Sequence, residues 1–279
     1  MRVVRWSPFD APWPPADRDI TQLMVATDRR HGFETPDAAD RERLGRIASL
    51  RQSPDPRALL VARRLASCER GARCLSPACP YCGGRTRIWF YAEIARLFDL
   101  RGSAAAANLQ LITLVHEDWI HSKSELHSFD PQVLIDRVRH QFLRAGIPDV
   151  SMFGAVHGEF DEQRTYWQPH LHLVAADMRR VHLDLIRNRY YRPSPRVDRP
   201  MVVQPVINPA RQISYLYKSY WPMKIRYVTA SGEKRSTFRR IPEPYHTQYL
   251  IKLDQFDLLG FILLIGFRRY GNTLRRTLS

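Results

Sequence analysis

The chain has 279 residues, 44% of them hydrophobic, which suffices for one substantial core with a small extra module and excludes disorder throughout. Its formal net charge of +15, from 43 Lys and Arg against 28 Asp and Glu, favours a polyanionic partner, with nucleic acid or an anionic membrane surface the usual ones. The longest apolar stretch, Leu258 to Phe267, falls short of the about 20 residues that a spanning helix needs. Met1-Arg2-Val3-Val4-Arg5 runs into Trp6, Ser7 and Pro8 rather than an apolar segment, so no secretory leader is expected and the location read from sequence is cytoplasmic. The basic residues are not gathered on one long amphipathic helix, which argues against a membrane partner.

In chain order, residues 1–60 read as a Pro- and Arg-rich arm, partly irregular; Pro8, Pro12, Pro14 and Pro15 oppose regular structure near its start. Residues 61–107 read as a cysteine-rich module and a helix. Residues 55–66 favour a basic helix leading into the cysteines, Ile88 to Leu100 a second helix, and Gly102 to Ala107 a connection. Residues 108–222 carry a new pattern. Leu109 to Val115 predicts a buried strand. Pro131 to Ala145 predicts a helix with Asp130 as cap, Pro131 at its first position and Gly146 at its end. Met152 to Phe160 and His170 to Ala176 predict a strand pair joined by the polar segment 161–168. Arg179 to Tyr190 predicts a helix, Val202 to Ile207 a strand, and Asn208-Pro209 the opening of a helix to about Trp221. The fold class is therefore α+β, with helices flanking a mostly antiparallel central sheet. Residues 223–279 read as a basic C-terminal region packed on this core, with Ile225 to Val228 read as a strand and Phe256 to Arg269 as a helix.

Three groups of residues carry chemistry. Four cysteines, Cys68, Cys74, Cys79 and Cys82, are separated by five, four and two residues, and the chain has no others. Clustered thiols in a reducing compartment point to a structural Zn²⁺ before disulfides. Arg73, Arg85 and Arg87 surround them and are expected to present cations to DNA.

The second group is Pro169-His170-Leu171-His172-Leu173-Val174. Strand side chains alternate, so His170 and His172 share one face. On the preceding strand His157 and Glu159 also share a face. Pairing Glu159 opposite either His170 or His172 keeps all four on one side. Glu159, His170 and His172 then form an imidazole–carboxylate set for a divalent ion, Mg²⁺ or Mn²⁺ on a phosphate, though also able to hold Zn²⁺. His157 is a substitute for Glu159 or a supporting contact.

The third group lies on the helix opened by Pro209. At about 100° per residue, Ile213, Leu216, Tyr217 and Tyr220 form one stripe. Tyr215 lies opposite, flanked by Arg211 and Lys218. A phenol between two cations is stabilised as a phenolate, and the same cations attract phosphate.

The succession LITL, GAVHGEF, PHLHLV and then YLYK, over roughly residues 109–221, resembles the HUH endonuclease superfamily, most nearly rolling-circle plasmid replication initiators. His170 and His172 match that family's paired metal histidines and Glu159 its acidic ligand. Tyr215 and Lys218 match its Tyr-x-x-Lys motif of nucleophile and assisting lysine. The resemblance implies an HUH-type core and a metal-dependent enzyme that nicks single-stranded or hairpin origin DNA. It implies a 5′-phosphotyrosine intermediate and a 3′-OH primer for rolling-circle replication, with host replication proteins as further partners. Cys74 to Cys82 is also similar to the cysteine-rich segment of IS91-like transposases, which share the chemistry. A non-enzymatic, zinc-containing DNA-binding protein is the alternative from another class, consistent with the charge and the cysteines alone.

Overall fold

A computed structural model describes residues 36–69, 72–98, 100, 108–147, 150–217, 220–271 and 273–277. The Pro-rich start of the expected arm and the expected connection at 102–107 lie outside the described residues. The chain forms an α+β fold built on an open sheet. Strands β1 (Leu109–Leu114), β3 (Met152–Asp161), β4 (Tyr166–Ala176) and β5 (Met201–Pro205) run in the spatial order β5-β1-β4-β3, all antiparallel to their neighbours. A short strand, β2 (His121–Ser122), pairs with the start of β4.

The outer edge of β3 is divided. Its first half pairs antiparallel with β8 (Ile262–Ile265), from Met152↔Ile265 to Ala155↔Ile262. Its far end pairs in parallel with β6 (Met223–Val228), at Phe160↔Met223 and Asp161↔Lys224, and β6 continues into a hairpin with β7 (Lys234–Arg239). Between these partners the chain crosses the edge and lays Trp221 against Gly158. A Cβ at Gly158 would lie 2.4 Å from the Trp221 ring. That ring is held by Phe129 at 5.2 Å and Tyr249 at 5.5 Å, and the backbone N–H of Trp221 donates to the Tyr249 hydroxyl at 2.8 Å. Gly158→Ala is therefore expected to cost about 1–3 kcal/mol by overpacking, read as a lowered midpoint in denaturant, with Gly260→Ala, which meets nothing within 4 Å, as the neutral control.

Helices α4 (Pro131–Arg144), α5 (Arg180–Tyr190), α6 (Pro209–Leu216) and α7 (Tyr245–Leu253) accompany the sheet. The start of α4 follows the expected chemistry: the Asp130 carboxylate accepts from the Gln132 N–H at 2.8 Å, and Leu134, Val138 and Phe142 are buried. Before the sheet come α1 (Pro36–Gln52), α2 (Pro56–Ala66) and α3 (Pro80–Leu97). Their buried residues belong to the same core as those of the sheet. Phe90 of α3 packs on Phe153 at 6.0 Å and on Tyr217 at 6.3 Å. Phe153 and His157 share strand parity, so α3 covers the histidine side of β3. Arg46, 1% exposed, ties α1 to the cysteine segment through the Ala78 carbonyl at 2.8 Å and is neutralised by Glu42 at 3.0 Å. Without those partners a buried guanidinium would be strongly destabilising.

Four elements differ from the sequence reading. Helix α1 occupies part of the arm, where no apolar period announced it. Helix α3 begins at Pro80, directly after Cys79, because proline is pre-set for the first helical position even ahead of Gly83-Gly84. Helix α6 ends at Leu216 rather than near Trp221, since the chain must leave it to cross the sheet edge. Residues 256–269, expected as helix, form a short 3₁₀ turn at Leu258–Phe261, then β8 and β9 (Phe267–Tyr270), which pairs with β10 (Thr273–Arg276). An apolar run without period fits helix or strand. Here Gly266, at φ +75°, breaks it in two, and the β-branched Ile262 and Ile265 pair with β3.

Candidate active site

The β3–β4 hairpin pairs down to Asp161↔Tyr166, leaving a connection of four residues. That connection fixes the register. His157 lies opposite His170, Ala155 opposite His172, and Glu159 opposite Gln168. Both expected pairings of Glu159 are thus corrected: the shared face is kept, but the register moves along by one same-face pair or two. His157, buried, and His170 and His172, half-buried, offer ligand atoms that all lie within 4.8 Å of one another. Glu159 projects from the same face, and its Oε1 accepts a hydrogen bond from Lys224 Nζ at 2.7 Å.

Hydrogen bonds orient the three rings. His170 Nδ1 faces the Gln168 carbonyl at 3.0 Å, and a carbonyl only accepts, so Nδ1 carries the proton and Nε2 keeps its lone pair. His157 Nε2 donates to the Leu216 carbonyl, so Nδ1 carries the lone pair of that ring. His172 Nδ1 meets Thr113 Oγ1 at 2.8 Å, and its Nε2 lies 3.1 Å from His170 Nε2. In a metal-free ring pair, His172 Nε2–H donates to His170. With Nδ1–H turned to Thr113 instead, two lone pairs face each other across 3.1 Å, the spacing of two nitrogens on one ion at bonds of about 2.1 Å. The donor set fits a divalent transition ion better than Mg²⁺, which prefers oxygen. Thr113 is a residue the sequence reading missed; register Thr113↔His172 supplies it, and only the pairing of β1 with β4 could have revealed it. Thr113→Val keeps the side-chain shape but removes the acceptor. It is expected to weaken Mn²⁺ binding about 10- to 100-fold, measured by calorimetric titration, with the fold unchanged. Equal affinity would show that Thr113 does not orient His172.

The Leu216 carbonyl also joins this cluster to the neighbour of Tyr215. Of the stripe the wheel predicts, Ile213, Leu216 and Tyr217 are buried and Tyr220, beyond the end of the helix, is half-buried, while Tyr215 is 38% exposed. The Tyr215 ring lies 6.0 Å from His157, nearly parallel to it, and 5.6 Å from His172. Tyr217 Oη donates to the Leu258 carbonyl, and burial raises its phenol above the ordinary value. Lys218 and the side chain of Arg211 lie outside the described residues.

Tyr215, His170 and His172 open onto a cleft of about 770 Å³ whose far wall is the β6–β7 hairpin. Six cations line it, Arg164, Arg196, Arg199, Lys224, Arg226 and Arg235, against the carboxylates Glu159 and Asp198. Tyr227 and Phe238, 46% and 44% exposed, interleave with them. Cations with exposed rings in one groove suit a single nucleic-acid strand. From sequence the region 223–279 reads as basic, with a strand at Ile225 to Val228, and this wall is not foreseen. Its signal was the alternation in MKIRYV and KRSTFR.

The four cysteine sulfurs form the second cluster. Cys68 and Cys82 lie 3.6 Å apart, Cys74 and Cys82 3.7 Å, and Cys79 and Cys68 3.8 Å. A tetrahedral ion with Zn–S bonds near 2.3 Å would place sulfurs about 3.8 Å apart. The sulfurs fit a closed Zn²⁺ site, and three of the four residues are buried. Arg73 lies over the Tyr81 ring at 3.9 Å and reaches Cys68 Sγ at 3.9 Å, offsetting the charge of thiolates. The expectation that Arg73, Arg85 and Arg87 all face DNA is corrected at Arg87, which is 4% exposed, while burial also lowers the pKa of Arg85.

No protein-family model matches the chain, and neither the curated proteins nor the solved structures contain a significant match. Among the described residues, no helix is long and apolar enough to cross a membrane.

Proposed function

We propose that this chain is a metal-dependent endonuclease that nicks single-stranded DNA with Tyr215 as nucleophile. The observation that carries the reading is the exposed Tyr215 ring beside His157 and His172 at the mouth of a basic cleft. The resemblance of the LITL, PHLHLV and YLYK segments to HUH endonucleases supports it, as does a sheet with helices against it.

In this reading a single strand lies along the cleft with its phosphates on Arg164, Arg199 and Arg226 and its bases against Tyr227 and Phe238. His157, His170 and His172 hold a divalent ion, Mn²⁺ in preference to Mg²⁺, with Glu159 the carboxylate of the expected set on the same face. Such an ion, when bound, polarises the scissile phosphate and offsets charge in the transition state. The Tyr215 oxygen attacks phosphorus and gives up its proton. The bond to the 3′ oxygen breaks, and that oxygen takes up a proton. The products are a 5′-phosphotyrosyl ester and a free 3′-OH. Lys218, and Lys224 beside Glu159, neutralise the phosphate. The ester conserves the phosphodiester bond energy, so strand joining needs no ATP. In a replication initiator the 3′-OH primes rolling-circle synthesis; in an IS91-like transposase it starts strand transfer. The cysteine cluster holds structural Zn²⁺ in either case.

Incubation with a pool of end-labelled single-stranded oligonucleotides, including hairpin origins, tests this reading. Cleavage that requires Mn²⁺, stops with chelator and leaves 3′-OH ends is expected. Tight binding without cleavage in any divalent ion would favour the non-enzymatic DNA-binding alternative.

A further inference from the structure

The β9–β10 hairpin lies away from the cleft and has no part in the chemistry above. Arg268 of β9 stands directly opposite Arg275 of β10. Both are exposed, and among the described residues neither is paired with a carboxylate. Like charges directly opposite on a two-stranded ribbon are destabilising, so the hairpin holds this pair against its own stability. The opposite face anchors it. Phe267 and Leu274 are buried, and Phe267 packs on Phe98 at 5.8 Å. Helix α3 grips both backbone groups of Leu274: Glu93 accepts its N–H at 2.6 Å, and Arg96 donates to its carbonyl at 2.6 Å. Glu93 is thereby engaged with the backbone and with Arg96, at 2.9 Å, rather than with the outward arginines.

We infer that this face is a second DNA-binding surface, one that takes the phosphate backbone of duplex flanking the strand in the cleft. The inference takes DNA as the partner from the proposed function. Two adjacent guanidinium groups on a rigid ribbon suit phosphate oxygens. The single ring of the outward face, Tyr270, is covered by Arg275 at 5.1 Å, so the surface offers no platform for unpaired bases, unlike the cleft. Phosphate contact without stacking fits duplex better than single strand. The hairpin follows β8 at the Met152 end of β3, whereas the cleft lies toward Glu159. Six residues of strand separate Phe153 from Glu159, a span of about 20 Å, or about 6 base pairs of duplex rise.

The test is the Arg268→Gln/Arg275→Gln double variant of the full chain, with wild type in parallel. Fluorescence anisotropy measures binding to a 20-base-pair duplex, to a short single-stranded oligonucleotide and to anionic vesicles over a range of salt. Loss of two phosphate contacts should lower the slope of log affinity against log salt on the duplex by about 1.8, with single-strand binding and metal affinity unchanged. Thermal stability should be equal or higher, since a repulsive pair is removed. An unchanged duplex slope overturns the assignment, and so does an effect confined to vesicles. Duplex binding that depends on Arg268 and Arg275 in a protein that nicks nothing supports this surface while the proposed function fails, so the two failures are distinguishable.

Discussion

Tyr215→Phe should abolish the covalent protein–DNA adduct and lower strand cleavage by about 10³-fold or more, while leaving affinity for single-stranded DNA nearly intact. The substitution removes one oxygen from a ring that is 38% exposed and leaves its packing beside His157 and His172. An unchanged melting temperature for Tyr215→Phe would show that the loss reports chemistry rather than folding. Tyr217→Phe is the matched control. Tyr217 is buried, hydrogen-bonded to the Leu258 carbonyl, and its phenol is held protonated by desolvation. Its loss should cost about 1 kcal/mol of stability and spare the adduct. An adduct that persists in Tyr215→Phe at the wild-type rate would move the nucleophile to Tyr220 first and Tyr217 second.

The Cys79→Ser/Cys82→Ser variant should lose its zinc and most of its stability. Structural zinc sites contribute apparent binding free energies of about 10–16 kcal/mol, comparable to or larger than the net stability of a typical domain, about 5–15 kcal/mol. Here the cluster is not a detachable appendage. Cys79 and Cys82 are 0% exposed, Cys82 sits in the first turn of α3, and α3 covers the histidine side of β3 through Phe90. Losing the ion should therefore loosen α3 and, through Phe90 and Tyr217, the end of α6. Elemental analysis should find about one zinc per chain in wild type and in His170→Ala, and none in the double serine variant. Chelator should lower the melting temperature of wild type and of His170→Ala alike. Zinc-free wild type that melts sharply and ignores chelator would contradict a structural ion, and would leave the histidine site untouched.

The strand pattern and the parity of His157, Glu159, His170 and His172 were legible because alternation is a property of one strand. Register was not. Which same-face residue stands opposite His170 depends on where the turn closes, and the polar segment 161–168 allowed several closures. The structure closes it at residues 162–165 and brings His157 to His170. The exposed position of Tyr215 followed from helical period, although α6 stops five residues earlier than expected because nothing in local propensity encodes the crossing over Gly158. The cysteine cluster was legible as a group from spacing alone. Arg87 was misread, since charge in sequence does not reveal burial. Thr113, Lys224 and the β6–β7 wall needed long-range pairing, of β1 with β4 and of β6 with β3.

The central claim is most directly tested by mapping the covalent product. Wild-type protein is incubated with cleavable single-stranded DNA and Mn²⁺, digested with nuclease and protease, and its peptides are weighed. The account predicts that the peptide containing Tyr215 gains a nucleotide phosphodiester on its phenolic oxygen, only when divalent metal is present and not in His170→Ala. Cleaved DNA with unmodified protein, or a nucleotide on any other residue, would contradict it.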